Sequence, residues 1–228
     1  QLWKERQNIQ RLETKTPIDE LIGGGIEEGE VVEFYGEFGS GKTQTALTLA
    51  VRVAGEMNED VLFIDCESTF KPERVMQIAK ARGLDPDKTL QKIHLMQPMK
   101  VEEQMEALKQ IPDNIKPKLV IVDGVTTLLR EEYIGRGKLA DRQGLLRKFL
   151  RDLKDYVKEH KCYGIITNQV YGNPESSPFL PLEYREYVYG LYNESGTLMY
   201  VSRGIGCSML PMRFMCPPEV VLITLVKA

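Results

Sequence analysis

The sequence predicts an α/β domain in which a mostly parallel sheet is covered by helices on both faces. Two observations carry that prediction. Val31-Val32-Glu33-Phe34-Tyr35, Val61 to Asp65, Leu119 to Asp123 and Tyr163 to Thr167 are short, nearly continuous apolar runs. Runs of that kind mark strands buried on both faces, whereas strands with one wet face alternate apolar and polar residues. Between these runs lie segments with apolar residues at helical spacing, and strands alternating with helices build a parallel sheet. At 228 residues the chain suits one such domain with a small appendage.

Taken in order, residues 1–18 are a polar, charged lead-in, and Gly23-Gly24-Gly25 is a turn before the first run. A glycine-rich loop follows, then a helix over Thr43 to Glu56, in which Ala46, Leu47, Ala50, Val51 and Ala54 recur on one side. Pro72 opens a helix that runs to Ala81, and Gly83 stops it. Ile93 to Met96 reads as a short strand and Val101 to Ile111 as an amphipathic helix. Lys138 to His160 is a long helix, with Leu139, Leu146, Phe149, Leu150, Leu153 and Val157 on one face.

The character changes near Tyr171. Residues 172–186 are rich in Pro, Gly, Ser and Glu, and Pro174, Pro178 and Pro181 rule out regular structure there. Strand-like runs then cover Tyr187 to Tyr192, Leu198 to Val201 and Val220 to Val226, with a hairpin turn at Asn193-Glu194-Ser195-Gly196. The expected organisation is a core over residues 1–170 and a β-rich segment over 171–228 that packs on the core sheet or extends it.

Net charge is −3 and the pI about 5.6, so no global positive field draws the chain to nucleic acid, and any such contact must be local. Cys66, Cys162, Cys207 and Cys216 form no CxxC pair and read as buried thiols of a reducing compartment. No apolar run approaches a membrane span. The start, Gln1-Leu2-Trp3-Lys4-Glu5-Arg6, has neither Met nor signal-peptide shape, which suggests a fragment or a trimmed chain, with the cytoplasm as default location.

Gly36-Glu37-Phe38-Gly39-Ser40-Gly41-Lys42-Thr43 fits G-x-x-x-x-G-K-[ST] at every fixed position. Average residue usage produces that pattern by chance in a chain of this length about 1% of the time. A strand before it and a helix after it sharpen the match. The glycines let backbone N–H groups close around phosphate oxygens, and the helix N-terminus adds partial positive charge. Lys42 would reach the β- and γ-phosphates of ATP, and Thr43 would give its hydroxyl to Mg²⁺. The alternative is an ordinary Gly-rich strand–helix turn.

Asp123 ends an aliphatic strand, where a carboxylate can hold the Mg²⁺ hydration shell; otherwise it is a plain strand-ending Asp. Glu67, just past the strand that ends at Asp65, has the chemistry to orient or deprotonate an attacking water, or is a surface carboxylate. Asn168-Gln169 ends the last core strand, where an amide could sense the γ-phosphate or simply make a turn. Asn168-Gln169-Val170-Tyr171 is not the Asn-Lys-x-Asp guanine motif.

Ile22-Gly23-Gly24-Gly25-Ile26-Glu27, the loop Gly36 to Thr43 with Gln44, Phe70-Lys71-Pro72-Glu73-Arg74, Glu132 to Gln143 and Thr167-Asn168-Gln169-Val170 together resemble the archaeal RadA recombinase family, in its order and spacing over roughly residues 8–170. The resemblance implies a RecA-like P-loop fold and Mg²⁺-dependent ATPase activity in homologous recombination and repair. It implies Glu67 as catalytic glutamate, Gln169 as γ-phosphate sensor and Arg74 as the arginine stacked on adenine. Gly36, Glu37, Phe38, Gly39, Ser40, Gly41, Lys42, Thr43 and Gln44 would bind the nucleotide. It also implies a site completed by a neighbouring subunit or recombinase partner, and a first DNA-binding loop carrying Arg130, Arg136 and Arg142. Arginines beside a Gly-x-Gly turn suit a single-strand backbone, although Glu131, Glu132 and Asp141 interleave with them as on a solvated face.

The family's N-terminal helical DNA-binding domain and a Phe-x-x-Ala element are not found in the lead-in, and the pattern departs after Val170. Gly190-Leu191-Tyr192, Leu198 to Gly206, Leu210 to Phe214 and Cys216 to Leu222 instead resemble the end of calcineurin-like metallophosphoesterases, over roughly residues 178–225. Those enzymes hold two metals through several His, Asp and Asn ligands. This chain has only His94 and His160, in no ligand motif. A natural fusion or an engineered chimera would account for the join. The other readings are a nucleotide-binding paralogue or truncated domain with little hydrolysis, and, behind them, a phosphoesterase.

Overall fold

The sheet follows from the aliphatic runs. In a computed structural model that describes residues 10–16, 18–169, 190–194 and 197–201, the lead-in forms a small antiparallel pair, β1 (Arg11–Leu12) with β2 (Ile26–Glu27), around a short helix α1 (Ile18–Leu21). Then β3 (Val31–Gly36), β4 (Val61–Asp65), β5 (Ile93–Met96), β6 (Leu119–Asp123) and β7 (Tyr163–Gln169) make one five-stranded sheet, in the order β3-β7-β6-β4-β5. β4 runs parallel to both β5 and β6, and β6 runs parallel to β7. The register sets Asp65 opposite Asp123 and Val122 opposite Ile166. The carboxyl ends of β4, β6 and β7 therefore share one edge.

Alternation along each strand divides the core between the two faces. Val61, Phe63, Leu119, Ile121 and Ile165 pack on one side with Ala46, Leu49 and Ala50 of the helix α2 (Lys42–Val51) and with Val75 and Ala79 of α3 (Pro72–Ala81). Leu62, Ile64, Val120, Val122 and Ile166 pack on the other side. A side chain of this size stabilises by about 1.5–3 kcal/mol when fully buried, so both faces hold the sheet. Two covered faces explain the continuous runs of β4 and β6; β3, expected to be buried like them, is instead an edge strand with no buried residue and with Glu33 and Tyr35 exposed.

Local signals decide the helix ends. α2 runs on as a π-turn over Arg52–Glu56, so the expected end at Glu56 holds but the last turn is widened. Pro72 sits in the first turn of α3, and Gly83 follows its end at φ 70. A helix the periodicity did not reveal, α4 (Pro86–Gln91), is capped by Asp85, whose side chain accepts from Asp87 N and Lys88 N. The expected helix over Val101–Ile111 is α5 (Val101–Glu106), tightening to 3₁₀ over Ala107–Gln110. A further unanticipated helix, α6 (Thr127–Glu132), follows β6. The long helix α7 (Leu139–Glu159) buries Phe149, Leu153 and Val157 in the second face's core, while Leu139, expected on the same stripe, is exposed at the helix's first position.

Beyond Gln169, β8 (Gly190–Glu194) and β9 (Thr197–Val201) form an antiparallel pair joined by two residues. The hairpin is as expected, but Asn193 and Glu194 belong to the strand rather than the turn. Among the described residues these strands make a separate two-stranded sheet and add nothing to the five; a hairpin satisfies its inner hydrogen bonds locally. Val220 to Val226, and residues 187–189 of the expected Tyr187–Tyr192 strand, lie outside the described residues. The chain groups into two compact units, Gln1–Phe34 with Thr45–Asn168, and Tyr35–Gln44 with Gln169–Ala228. Among the described residues no helix is long and apolar enough to cross a membrane. Cys66 and Cys162 are buried free thiols; Cys207 and Cys216 lie outside the described residues.

Candidate functional site

In the unit that includes residues 35–44, the chain turns from strand to helix within five residues. β3 ends at Gly36 and α2 begins at Lys42. Ser40 N donates to Glu37 O (3.2 Å), closing the turn. Gly39 and Gly41 sit at φ 74 and φ 92, a region that strains any residue with a Cβ. Of the motif's two fixed glycines, the backbone angle demands Gly41, while a Cβ at Gly36 would stand 2.9 Å from Ser40 Oγ. Lys42 Nζ reaches back and donates to Gly36 O (3.0 Å) and Glu37 O (2.8 Å), with Ser40 Oγ at 3.4 Å. Its ammonium therefore lies over the loop's own carbonyls, and the Phe38 side chain is exposed.

These donors fit a polyphosphate. An ammonium held on the loop, N–H groups at the start of a ten-residue helix and a hydroxyl at Thr43 in its first turn are the groups that bind anionic oxygens. The Thr43 hydroxyl and the Asp123 carboxylate are hard oxygen ligands of the kind Mg²⁺ takes. Gln44 follows in the first turn of α2, and Gln169 closes β7, half-buried.

In the other unit, the carboxyl ends of β4 and β6 hold a cluster of acidic groups. Asp65 and Asp123 are both fully buried. The Asp65 carboxylate accepts from Glu67 N (3.2 Å), Thr69 N (3.2 Å), Phe70 N (2.9 Å) and Gln97 Nε2 (3.1 Å). It ties down the turn that presents Glu67. Thr167 Oγ1 donates to Asp123 Oδ1 (2.5 Å) and accepts from Gly124 N (2.8 Å). Glu67, half-buried, accepts from the Thr127 hydroxyl (3.2 Å). Burial pushes the Cys66 thiol well up, and the neighbouring charges of Asp65, Asp123 and Glu67 add to it. The structure thus brings Glu67 and Asp123 into one acidic cluster.

The remaining candidates sit on α3, on α6, on the turn after it and on α7. Arg74 is exposed in the first turn of α3, with Nη1 on Gln77 Oε1 (3.2 Å). Arg130 lies half-buried in the last turn of α6. Arg136 starts the 3₁₀ turn Arg136–Lys138, and Arg142 is half-buried in the first turns of α7. Of the interleaved acids, Glu132 accepts from Val101 N (2.6 Å) and Asp141 pairs with Lys138 (3.4 Å). Asn168 bridges Thr126 Oγ1 (2.8 Å) and Glu33 Oε1 (2.9 Å).

Sequence reasoning passed over Asp65 as an organiser and missed Gly124, Thr127 and Thr167. The one local signal was Asp123-Gly124-Val125-Thr126-Thr127, a strand end followed by glycine and paired hydroxyls.

A family model described as Rad51 matches residues 5–206. The match passes the residue 170 at which the quoted motifs end and enters the segment likened to phosphoesterases, and that second likeness gains no support from it. Among curated proteins, "DNA repair and recombination protein RadA" of Cenarchaeum symbiosum (strain A) is 40% identical over 185 residues, which is 77% of this chain and 46% of that protein. The chain thus spans about half the length of this relative.

Proposed function

The chain belongs to the Rad51 family, and on that premise we propose that it is a cytoplasmic, ATP-binding, Mg²⁺-dependent ATPase of the recombinase type, acting with single-stranded DNA in recombination and repair. The observation that carries this reading is the loop itself, with left-handed glycines at 39 and 41 and the Lys42 ammonium drawn over the carbonyls of Gly36 and Glu37. A loop so shaped takes the β- and γ-phosphates, with Lys42 moving from its own carbonyls to phosphate oxygens.

Residues Gly36 to Gln44 bind the triphosphate, and Arg74 stacks on the adenine. Thr43 and Asp123 are the residues that would hold Mg²⁺, which would supply charge neutralisation when bound. Glu67 orients a water and takes its proton as the water oxygen bonds to the γ-phosphorus and the bond to the leaving ADP oxygen breaks. Asp65 contributes by fixing the turn that carries Glu67. Gln169 reports whether the γ-phosphate is present. Arg130, Arg136 and Arg142 contact the phosphate backbone of single-stranded DNA, and a second copy of the chain or another recombinase completes the site.

Steady-state hydrolysis of ATP with Mg²⁺, with and without single-stranded DNA and with Lys42→Ala as control, tests the proposal. Hydrolysis that DNA stimulates and Lys42→Ala abolishes is expected. ATP binding without turnover in either condition would leave a nucleotide binder and overturn the ATPase reading. Turnover that ignores DNA would overturn only the DNA-dependent part.

A further inference from the structure

The groups around Glu67 point to a residue that none of the motifs names. Thr126 and Thr127 open α6, and at the N-cap, Thr126, a threonine hydroxyl ordinarily caps its own helix by accepting from a backbone N–H one turn on. It is not used that way here. Thr126, the N-cap residue, makes no side-chain cap hydrogen bond, and its hydroxyl donates instead to Asn168 Oδ1 (2.8 Å). The Thr127 hydroxyl donates to Glu67 Oε1 (3.2 Å), across 60 positions of sequence. Both hydroxyls reach the ends of neighbouring strands.

Gly124 makes the second contact possible. Its φ is 79, and a Cβ there would stand 2.4 Å from Glu67 Cγ, 2.9 Å from Glu67 Oε1 and 2.7 Å from Thr127 Oγ1. The Glu67 stem therefore lies directly against the backbone of residue 124, with its carboxylate on the Thr127 hydroxyl. Gly124 is pinned in turn, its N–H on Thr167 Oγ1 (2.8 Å), while Val125 N donates to Thr167 O (3.0 Å) and Gln104 Nε2 to Val125 O (3.0 Å). Glu67 rests on a surface that is fixed from behind.

We propose that Thr127 is a positioning residue for the Glu67 carboxylate, holding one carboxylate oxygen over Gly124 so that the other faces the attacking water. The inference rests on the reading of Glu67 as the water-activating group. A hydrogen bond of this type restricts the carboxylate to one rotamer, and misplacement of a catalytic group by about 1 Å costs up to ~100-fold in rate. The effect belongs to the chemical step, since Thr127 acts through Glu67 in this reading.

The test is single-turnover hydrolysis, with ATP affinity measured separately by equilibrium titration, on Thr127→Val, Thr127→Ser and Glu67→Gln, each first shown to be folded by thermal melting. Thr127→Val is expected to lose about tenfold in rate with ATP affinity unchanged, and Thr127→Ser to return to within about threefold of the parent. A crystal structure of Thr127→Val should show the Glu67 carboxylate moved off Gly124. Parent-like turnover in Thr127→Val alongside an inactive Glu67→Gln would overturn the positioning role while leaving the ATPase reading intact. Parent-like turnover in Glu67→Gln would overturn the premise, and the proposal with it.

Discussion

The two ends of the core strands solve the same problem in opposite ways. At the amino ends, carboxylates meet basic side chains. Asp60, just before β4, contacts His94 (2.9 Å) and Lys92 (3.7 Å). Glu28 pairs with Lys118, whose ammonium also donates to Lys161 O (2.8 Å) and lies over the Tyr163 ring. At the carboxyl ends, Asp65 and Glu67 are held by neutral donors, namely backbone N–H groups, the Gln97 amide and the Thr127 hydroxyl. Neutral donors fix geometry without cancelling charge. In the proposed reading, that difference separates a structural end of the sheet from the end that activates water.

Removing carboxylates should therefore cost very different amounts at the two ends. The largest effect is expected from Asp65→Ala, which leaves the backbone donors of half-buried Glu67 and Phe70 and of exposed Thr69 without their acceptor and should destabilise by about 3 kcal/mol. Chemical denaturation measures it, and the Cys66 thiol, pushed up by burial and by its acidic neighbours, gives a local check. Its labelling by thiol reagents should be slow in the parent and faster in the variant.

An intermediate effect is expected where cations crowd one carboxylate. Burial works to raise Glu56, but the hydrogen bonds from Lys15, Arg82 and Arg52 outweigh it and hold the group below its ordinary value. A group lowered in the folded state contributes stability that is present above the ordinary glutamate range, about 4.3, and is lost as pH falls through the folded value. Glu56→Gln should therefore cost up to about 1 kcal/mol at neutral pH and flatten the loss of stability below pH ~4.5. Melting temperature followed against pH would show it. The smallest effect is expected from Asp60→Asn, a part-exposed pair worth a few tenths of a kcal/mol and weakened further by salt.

The sequence revealed the strand ends more readily than what holds them. The loop at 36–43 was legible because its chemistry requires fixed residue types at fixed spacing, and at one of them, Gly41, the backbone takes the left-handed angle that glycine allows. Asp123 was legible because an aliphatic strand ends on it. Thr127 was not, because its partner Glu67 is 60 positions away and no local pattern records such a bond. α4 was missed for a different reason: six residues are too few to show a helical period, although Asp85-Pro86 before it is a helix-start signature. The exposed Leu139 shows the converse. Helical spacing placed it on the core stripe, but at the first position of the helix it is exposed.

The central claim is that the loop binds ATP while the carboxyl end of the sheet supplies the group that activates water. The most direct measurement sets ATP affinity beside the hydrolysis rate in Glu67→Gln. The account predicts affinity within about twofold of the parent and hydrolysis lowered by about 100-fold or more. Hydrolysis at the parent rate, or a loss of hydrolysis matched by an equal loss of affinity, would contradict it.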